Sequence, residues 1–368
     1  MKSRFFTRCA LPLLLLVMAG PTLADVRADF DRSYAIYQKY YGAGEWEQAT
    51  TAASEVLYFA TRAFGKTSIN TANMAFNYAR LLNRAERYDE SLPLLDQAMD
   101  VLRAFHGPAS AELVEPYLEL GKARWSTGRE SNGIAAFRRA VHLAGLQSRA
   151  EKARLNMVVG VFLSNRMFSV AARLFLQDAM QQYQAEVGDA DVRVAFAALH
   201  IGRGLVFDDS YSPAMPLLEQ ALGVFVADER NLQLELATRK LLVQALEGLG
   251  RSDEATEHCL VVGRKSMSDQ HILIGTVEPN YPVDAVEQME NGWVVVEFTV
   301  NEEGFVRDPV VAETTSTLFN AAAIEAASRF RFAPRFQDGK PIATPGVRNK
   351  ISFHIVDQLG PGKPQGDI

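Results

Sequence analysis

Three segments of the chain line up at a constant spacing of 42 residues: Gly44-Glu45-Trp46-Glu47-Gln48-Ala49, Glu86-Arg87-Tyr88-Asp89-Glu90-Ser91 and Gly128-Arg129-Glu130-Ser131-Asn132-Gly133. A fixed period of this size constrains the fold more than any composition does. Each repeat is one small unit that cannot bury its apolar face alone, so neighbouring units must stack into a solenoid. Every copy lies between two stretches with helical spacing of apolar residues, so each unit reads as helix, turn, helix. In the third unit Tyr117, Leu120, Gly121 and Arg124 precede the turn, and Phe137, Ala140 and Val141 follow it. Small residues at Ala49, Ala79, Ser91, Gly121 and Gly133 let the two helices of a pair approach closely. Weaker units follow, with Phe168 and Ala171 fitting a fourth turn, Tyr211 and Ala214 a fifth, and Gly250, Ser252 and Ala255 a sixth.

The repeats resemble the tetratricopeptide repeat over roughly residues 28–265, in a version with longer connections at Phe64-Gly65-Lys66-Thr67 and Phe105-His106-Gly107-Pro108. The resemblance implies a concave face, lined by the first helix of each pair, that binds peptides or protein partners. Gln38, Arg80 and Lys122 share one position relative to the turns, and the same offset in later units reaches Gly160, Arg203 and Gln244. Such a polar row could hold the main chain and carboxylates of an extended segment, or it could be ordinary solvated surface.

Near residue 266 the pattern changes from helical to alternating. Val294, Val296, Phe298 and Val300 occupy one face of a strand, with Trp293, Val295, Glu297 and Thr299 on the other. Asn301-Glu302-Glu303-Gly304 reads as a hairpin turn in which Gly304 is free to adopt positive φ, and a return strand runs to about Val311. A helix follows, with Leu318, Phe319, Ala322, Ala323, Ala326 and Phe330 as its apolar stripe. After the turn Asp338-Gly339-Lys340-Pro341, a last strand alternates Val347, Asn349, Ile351, Phe353 and Ile355 with Arg348, Lys350, Ser352 and His354.

The order strand, strand, helix, strand, with a short helix at 283–289 before it, resembles the TonB C-terminal domain across residues 273–357. The matching residues are Pro279-Asn280-Tyr281-Pro282 with Ala285, Gly292, Gly304 with Val306 and Pro309, and Phe319 with Ala321-Ala322. Phe330-Arg331-Phe332-Ala333-Pro334, Gly339-Lys340-Pro341 and Ile351-Ser352-Phe353 complete the pattern. The resemblance implies binding of a short extended peptide, the box segment of a TonB-dependent outer-membrane transporter, by strand addition to the last strand. Carried onto this chain, the docking edge is Lys350, Ile351, Ser352, Phe353, His354 and Ile355. Tyr281 and Pro282 fall in the segment that contacts the transporter, or serve the fold as a tucked aromatic and a helix-opening proline.

The first 24 residues read as a cleaved secretory signal peptide. Lys2, Arg4 and Arg8 precede a short apolar run at 11–19, Gly20-Pro21 breaks it, and Thr22-Leu23-Ala24 supplies small residues for a peptidase. The run is too short to span a bilayer, and an uncleaved inner-membrane anchor is the alternative. Cleavage removes three basic groups and shifts the net charge from −6 to −9, which gives no support for nucleic-acid binding. Residues 358–368 are expected to form a flexible tail. Cys259 is the one cysteine left after cleavage, so no internal disulfide is expected.

No catalytic, metal or cofactor constellation emerges. The six histidines lack paired-ligand spacing. Gly65-Lys66-Thr67 resembles the end of a phosphate-binding loop, but Ala60 stands where the first glycine belongs. His258 and Cys259 are neighbours on a helix and point apart, and Cys259 falls on the inward face. The expectation is a multidomain chain, an α-helical repeat solenoid followed by a small α+β domain. It reads as a periplasmic protein-interaction adaptor, with a TonB-type energy transducer as the alternative.

Overall fold

The computed structural model describes residues 22–167, 169–266 and 271–355. The chain divides into two compact units between Ser148 and Arg149. The expected leader (apart from Thr22-Leu23-Ala24), Phe168 and the expected tail lie outside the described residues.

Among the described residues the first unit holds three antiparallel helix pairs: α1 (Leu23–Ala43) with α2 (Trp46–Phe64), α3 (Ile69–Arg84) with α4 (Tyr88–His106), and α5 (Val114–Ser126) with α6 (Glu130–Gln147). Thr22 caps α1 through a reciprocal box with Asp25, and Gly44 ends it in the left-handed region at φ 73°. Pair closure depends on missing side chains. A Cβ on Gly121 would sit 2.4 Å from the Phe137 ring, and one on Gly133 would sit 2.8 Å from the Trp125 backbone nitrogen. Successive pairs are joined by a buried polar bridge, in which Asn83 Nδ2 donates to the Glu119 carbonyl at 3.0 Å and to its carboxylate at 2.7 Å. Burial of these groups is tolerated because each finds a partner.

In the second unit the pairs are α7 (Arg149–Ser164) with α8 (Val170–Val187), α9 (Val192–Phe207) with α10 (Tyr211–Phe225), and α11 (Leu232–Gly248) with α12 (Ser252–Lys265). Their packing corrects the sequence register at the fourth repeat. Gly160 faces Leu176 as Gly121 faces Phe137 and Gly202 faces Leu218, each pair 16 residues apart. Gly160 is therefore the small residue of the helix contact, and the row position of this repeat moves by one to the half-buried Val161. The small residue of the turn likewise moves from Ala171 to the fully buried Ala172. The turn sequence of this repeat is degenerate, and counting back from Phe168 lands one residue short. Cys259 is fully buried on α12, and burial pushes its thiol up.

Two histidines of this unit are held neutral. Burial, with the charge of Arg203, lowers His200 to about 4, and burial with Arg239 does the same to His258. Arg239 Nη1 lies 3.1 Å from His258 Nδ1, a contact that requires the unprotonated nitrogen. A depressed histidine pKa stabilises the fold fully above the unfolded value near 6.5, and that contribution disappears as pH falls toward the folded value. Stability should therefore fall between pH 6.5 and 4, by on the order of 2–3 kcal/mol for His200 and less for half-buried His258. A His200→Gln variant should flatten part of this slope in a pH series of melts.

The C-terminal elements are β1 (Ile272–Gly275), α13 (Val283–Glu287), β2 (Gly292–Val300), β3 (Val306–Thr314), α14 (Asn320–Ser328), β4 (Arg331–Ala333), β5 (Arg335–Gln337), β6 (Lys340–Ile342) and β7 (Thr344–Phe353). The main sheet is antiparallel with order β3-β2-β7, and β1-β4 and β5-β6 form separate two-stranded ladders. Val294, Val296, Phe298 and Val300 are all buried, packed with Phe319, Ala323 and Ala326 from the α14 side. The return strand continues to Thr314, beyond the expected Val311, and its pairing with β2 shifts register twice. Phe330 belongs to the same core but lies past the end of α14.

Candidate protein-binding surfaces

β7 is an edge of the three-stranded sheet, paired on one side with β2 from Gly292↔Phe353 to Phe298↔Val347 without a register break. Which of its main-chain groups face outward follows from the other side of β2. Trp293 donates its N–H to Thr315 Oγ1 at 2.9 Å and accepts the Thr315 N–H at 3.1 Å, so both its main-chain groups point toward β3. Trp293↔Ser352 is then a non-hydrogen-bonded pair, and by strand alternation so are Val295↔Lys350 and Glu297↔Arg348. The N–H and C=O groups of Arg348, Lys350 and Ser352 therefore face the open edge, and those of Ile351 and Phe353 face β2.

Of the six residues expected at the edge, the structure places four, Lys350, Ile351, Ser352 and Phe353, in the strand. His354 follows its end as an exposed residue, and the Ile355 N–H is taken by Asn291 Oδ1 at 2.8 Å. The opposite edge, β3, is a poorer template. It contains Pro309, Asp308 at φ 51° and two register shifts, all features that blunt an edge. On the solvent face, Lys350 stacks over Trp293 at 4.4 Å, and Arg348 bridges Glu297 at 3.0 Å and Glu313 at 3.3 Å. These exposed pairs add little stability but shape the surface beside the edge.

Tyr281 and Pro282 are both tied into the fold. The Tyr281 ring lies edge-on to Phe319 and Phe353, each at 5.8 Å, and its hydroxyl donates to the Glu290 carbonyl. Pro282 occupies the cap position of α13. The next residues, Val283, Val286 and Met289, are exposed.

The row residues of the first unit differ in how they are held. Gln38 is exposed. Arg80 donates to the Tyr41 hydroxyl at 2.8 Å and stacks on the Tyr41 and Phe76 rings. Lys122 is paired with Glu119 at 2.7 Å. In the second unit Arg203 donates to Asn165 Oδ1 at 2.6 Å. Among the described residues, no carboxylate lies within ion-pair distance of Arg80 or Arg203. Gln244, at the same position of the last repeat, donates to the Ile274 carbonyl at 2.8 Å.

Residues 277–355 match the family model of the Gram-negative bacterial TonB protein C-terminal, and residues 40–104 and 70–144 match that of the tetratricopeptide repeat. The chain joins tetratricopeptide repeats to a TonB C-terminal domain. Both families are protein-interaction domains. Solved structures similar to the chain are repeat proteins. One is a kinesin-light-chain protein of Podosopora anserina with nearly identical repeats, at 13% identity and TM-score 0.45, covering 55% of this chain and 96% of that one. Another is a multidomain signal-transduction ATPase of Pyrococcus horikoshii with a tetratricopeptide-repeat sensor, at 11% identity and TM-score 0.51, covering 73% of this chain and 38% of that one. At such identities the likeness concerns the fold alone. No curated protein matches the chain. A TonB C-terminal domain suggests an envelope location, and among the described residues no helix is long and apolar enough to cross a membrane.

Proposed function

We propose that this protein is a periplasmic adaptor. Its TonB C-terminal domain takes an extended peptide by strand addition at β7, and its repeats hold a second protein partner. The observation that carries the reading is the outward-facing main chain of Arg348, Lys350 and Ser352 on an uninterrupted edge strand. An added strand gains several main-chain hydrogen bonds there while asking little of its own sequence. The peptide class is the box segment of an outer-membrane transporter. Tyr281 and Pro282 contribute by holding the 277–291 segment beside the end of β7, with Val283 and Val286 as the exposed apolar contacts.

For the repeats, Gln38, Arg80 and Lys122 are the proposed groove residues, and Arg80 is the strongest of them. Its guanidinium is pre-positioned by aromatic stacking and, among the described residues, has no carboxylate to give up. An Arg80→Glu/Lys122→Glu double variant should lose capture of the repeat partner from a periplasmic extract while binding box peptide as the parent does. Unchanged capture would remove the groove assignment and leave the edge assignment standing.

A further inference from the structure

The last repeat carries a second contact surface, and its occupant is part of the same chain. Ile274 of β1 and Ala333 of β4 are buried in the core formed by the last repeats, together with Ala255, Cys259 and Val262. Gln244, the row residue of this repeat, hydrogen-bonds the main-chain carbonyl of Ile274 at 2.8 Å, as a groove side chain would hold an extended ligand. Gly263 lets the domain come close, since a Cβ there would lie 2.3 Å from the Pro334 carbonyl oxygen.

At the centre is Arg331, a cation only 3% exposed. Its Nη2 donates to Thr256 Oγ1 at 3.0 Å on α12 and to the Glu303 carbonyl at 3.3 Å, and it lies 3.4 Å from Cys259 Sγ. Its Nη1 is 3.0 Å from Glu247 Oε1 on α11, close as charges but not aligned as a hydrogen bond. The guanidinium plane rests on the Phe305 ring at 3.6 Å. A buried guanidinium is costly unless its charge and donors are met. Here the partners come from both sides of the contact, two helices of the repeat and the β2-β3 hairpin. Among the described residues its Nε and Nη1 lack hydrogen-bond partners, and its contacts with Glu247 and Thr256 exist only when the domain is docked on the repeat.

We infer that α11 and α12 form a binding site for the chain's own β1-β4 ladder, and that Arg331 is the residue that fixes the docked arrangement. The C-terminal domain is then a rigid continuation of the last repeat rather than a tethered module. The direction of the β7 edge is set by α11 and α12, and the row position of the last repeat is closed to other ligands.

Hydrogen exchange on full-length Arg331→Leu, Arg331→Lys and Gln244→Ala variants tests this. In Arg331→Leu, amides of Leu273, Ile274 and the 259–262 turn of α12 should exchange at least about tenfold faster, while Val294, Val296 and Phe298 keep parental protection. Lysine should not restore the parental rates, because it has no planar group to lie on Phe305 and no second nitrogen to face Glu247 while the first meets Thr256. Gln244→Ala, which leaves the C-terminal domain untouched, should speed exchange at β1 alone. Parental exchange at β1 in both Arg331→Leu and Gln244→Ala would overturn the docking site. Loss of β2 protection in Arg331→Leu, with Gln244→Ala silent, would also overturn it, by making Arg331 a residue of the domain's own fold.

Discussion

A Ser352→Pro variant is expected to keep the folded C-terminal domain and to lose at least about tenfold in affinity for an extended peptide, whereas Ile351→Pro should lose the domain itself. Two adjacent residues are predicted to behave oppositely because their main-chain groups point in opposite directions. Ser352 pairs with Trp293, whose N–H and C=O are both spent on Thr315. Its own N–H therefore faces the open edge, where proline is tolerated within a sheet. Replacing it removes one donor to an added strand and puts a ring in the strand's path. A hydrogen bond contributes about 0.5–1.5 kcal/mol net, so together with the steric block tenfold, about 1.4 kcal/mol, is a modest expectation. At Ile351 the N–H faces β2 and the side chain is 6% exposed. Proline there breaks the ladder and empties a core position, and about 3–5 kcal/mol is expected. Circular dichroism with peptide titration separates the two outcomes.

Gly304→Ala should unfold the C-terminal domain while the repeats remain helical. The residue sits at φ 86°, and a Cβ would meet the Phe332 carbonyl oxygen at 2.0 Å. That carbonyl is backbone and cannot swing aside. The turn has no slack either, since Asn301 Oδ1 accepts the N–H groups of Glu303 and Phe305 at 3.1 and 2.8 Å. The Phe332 N–H bonds the Gly304 carbonyl at 2.9 Å, which locks the hairpin to β4. The combined strain and clash should cost about 3–5 kcal/mol, a large part of the stability of a domain this size. Gly339 is the control. It has a similar φ of 76°, but a Cβ there would meet nothing within 4 Å, so Gly339→Asn should cost under about 1 kcal/mol. Thermal melts of the two variants give the comparison.

Much of this architecture is legible in the residues themselves. The 42-residue period places three turns, and the small residues at Gly121 and Gly133 meet the close contacts that their size anticipates. The Val294-to-Val300 alternation matches a buried face residue by residue. What stays hidden has physical reasons. The fourth repeat cannot be aligned from its turn, and only the packing of Gly160 on Leu176 shows the register. β1 and β4 are four and three residues long, and β4 is buried at every position, so no alternation marks it. Arg331 reads as an ordinary charged residue, because nothing local predicts that its partners arrive from α11, α12 and the β2-β3 hairpin. The orientation of the edge donors is equally silent, since it depends on where Thr315 spends its groups on Trp293.

Residue-resolved amide exchange of the full-length protein, with and without a saturating synthetic transporter-box peptide of about ten residues, tests strand addition at β7 most directly. An added strand must take up the outward donors, so the Arg348, Lys350 and Ser352 amides should slow sharply, while Ile351 and Phe353, already bonded to β2, should change little. A peptide that binds and leaves the exchange of Lys350 and Ser352 untouched would contradict strand addition at this edge.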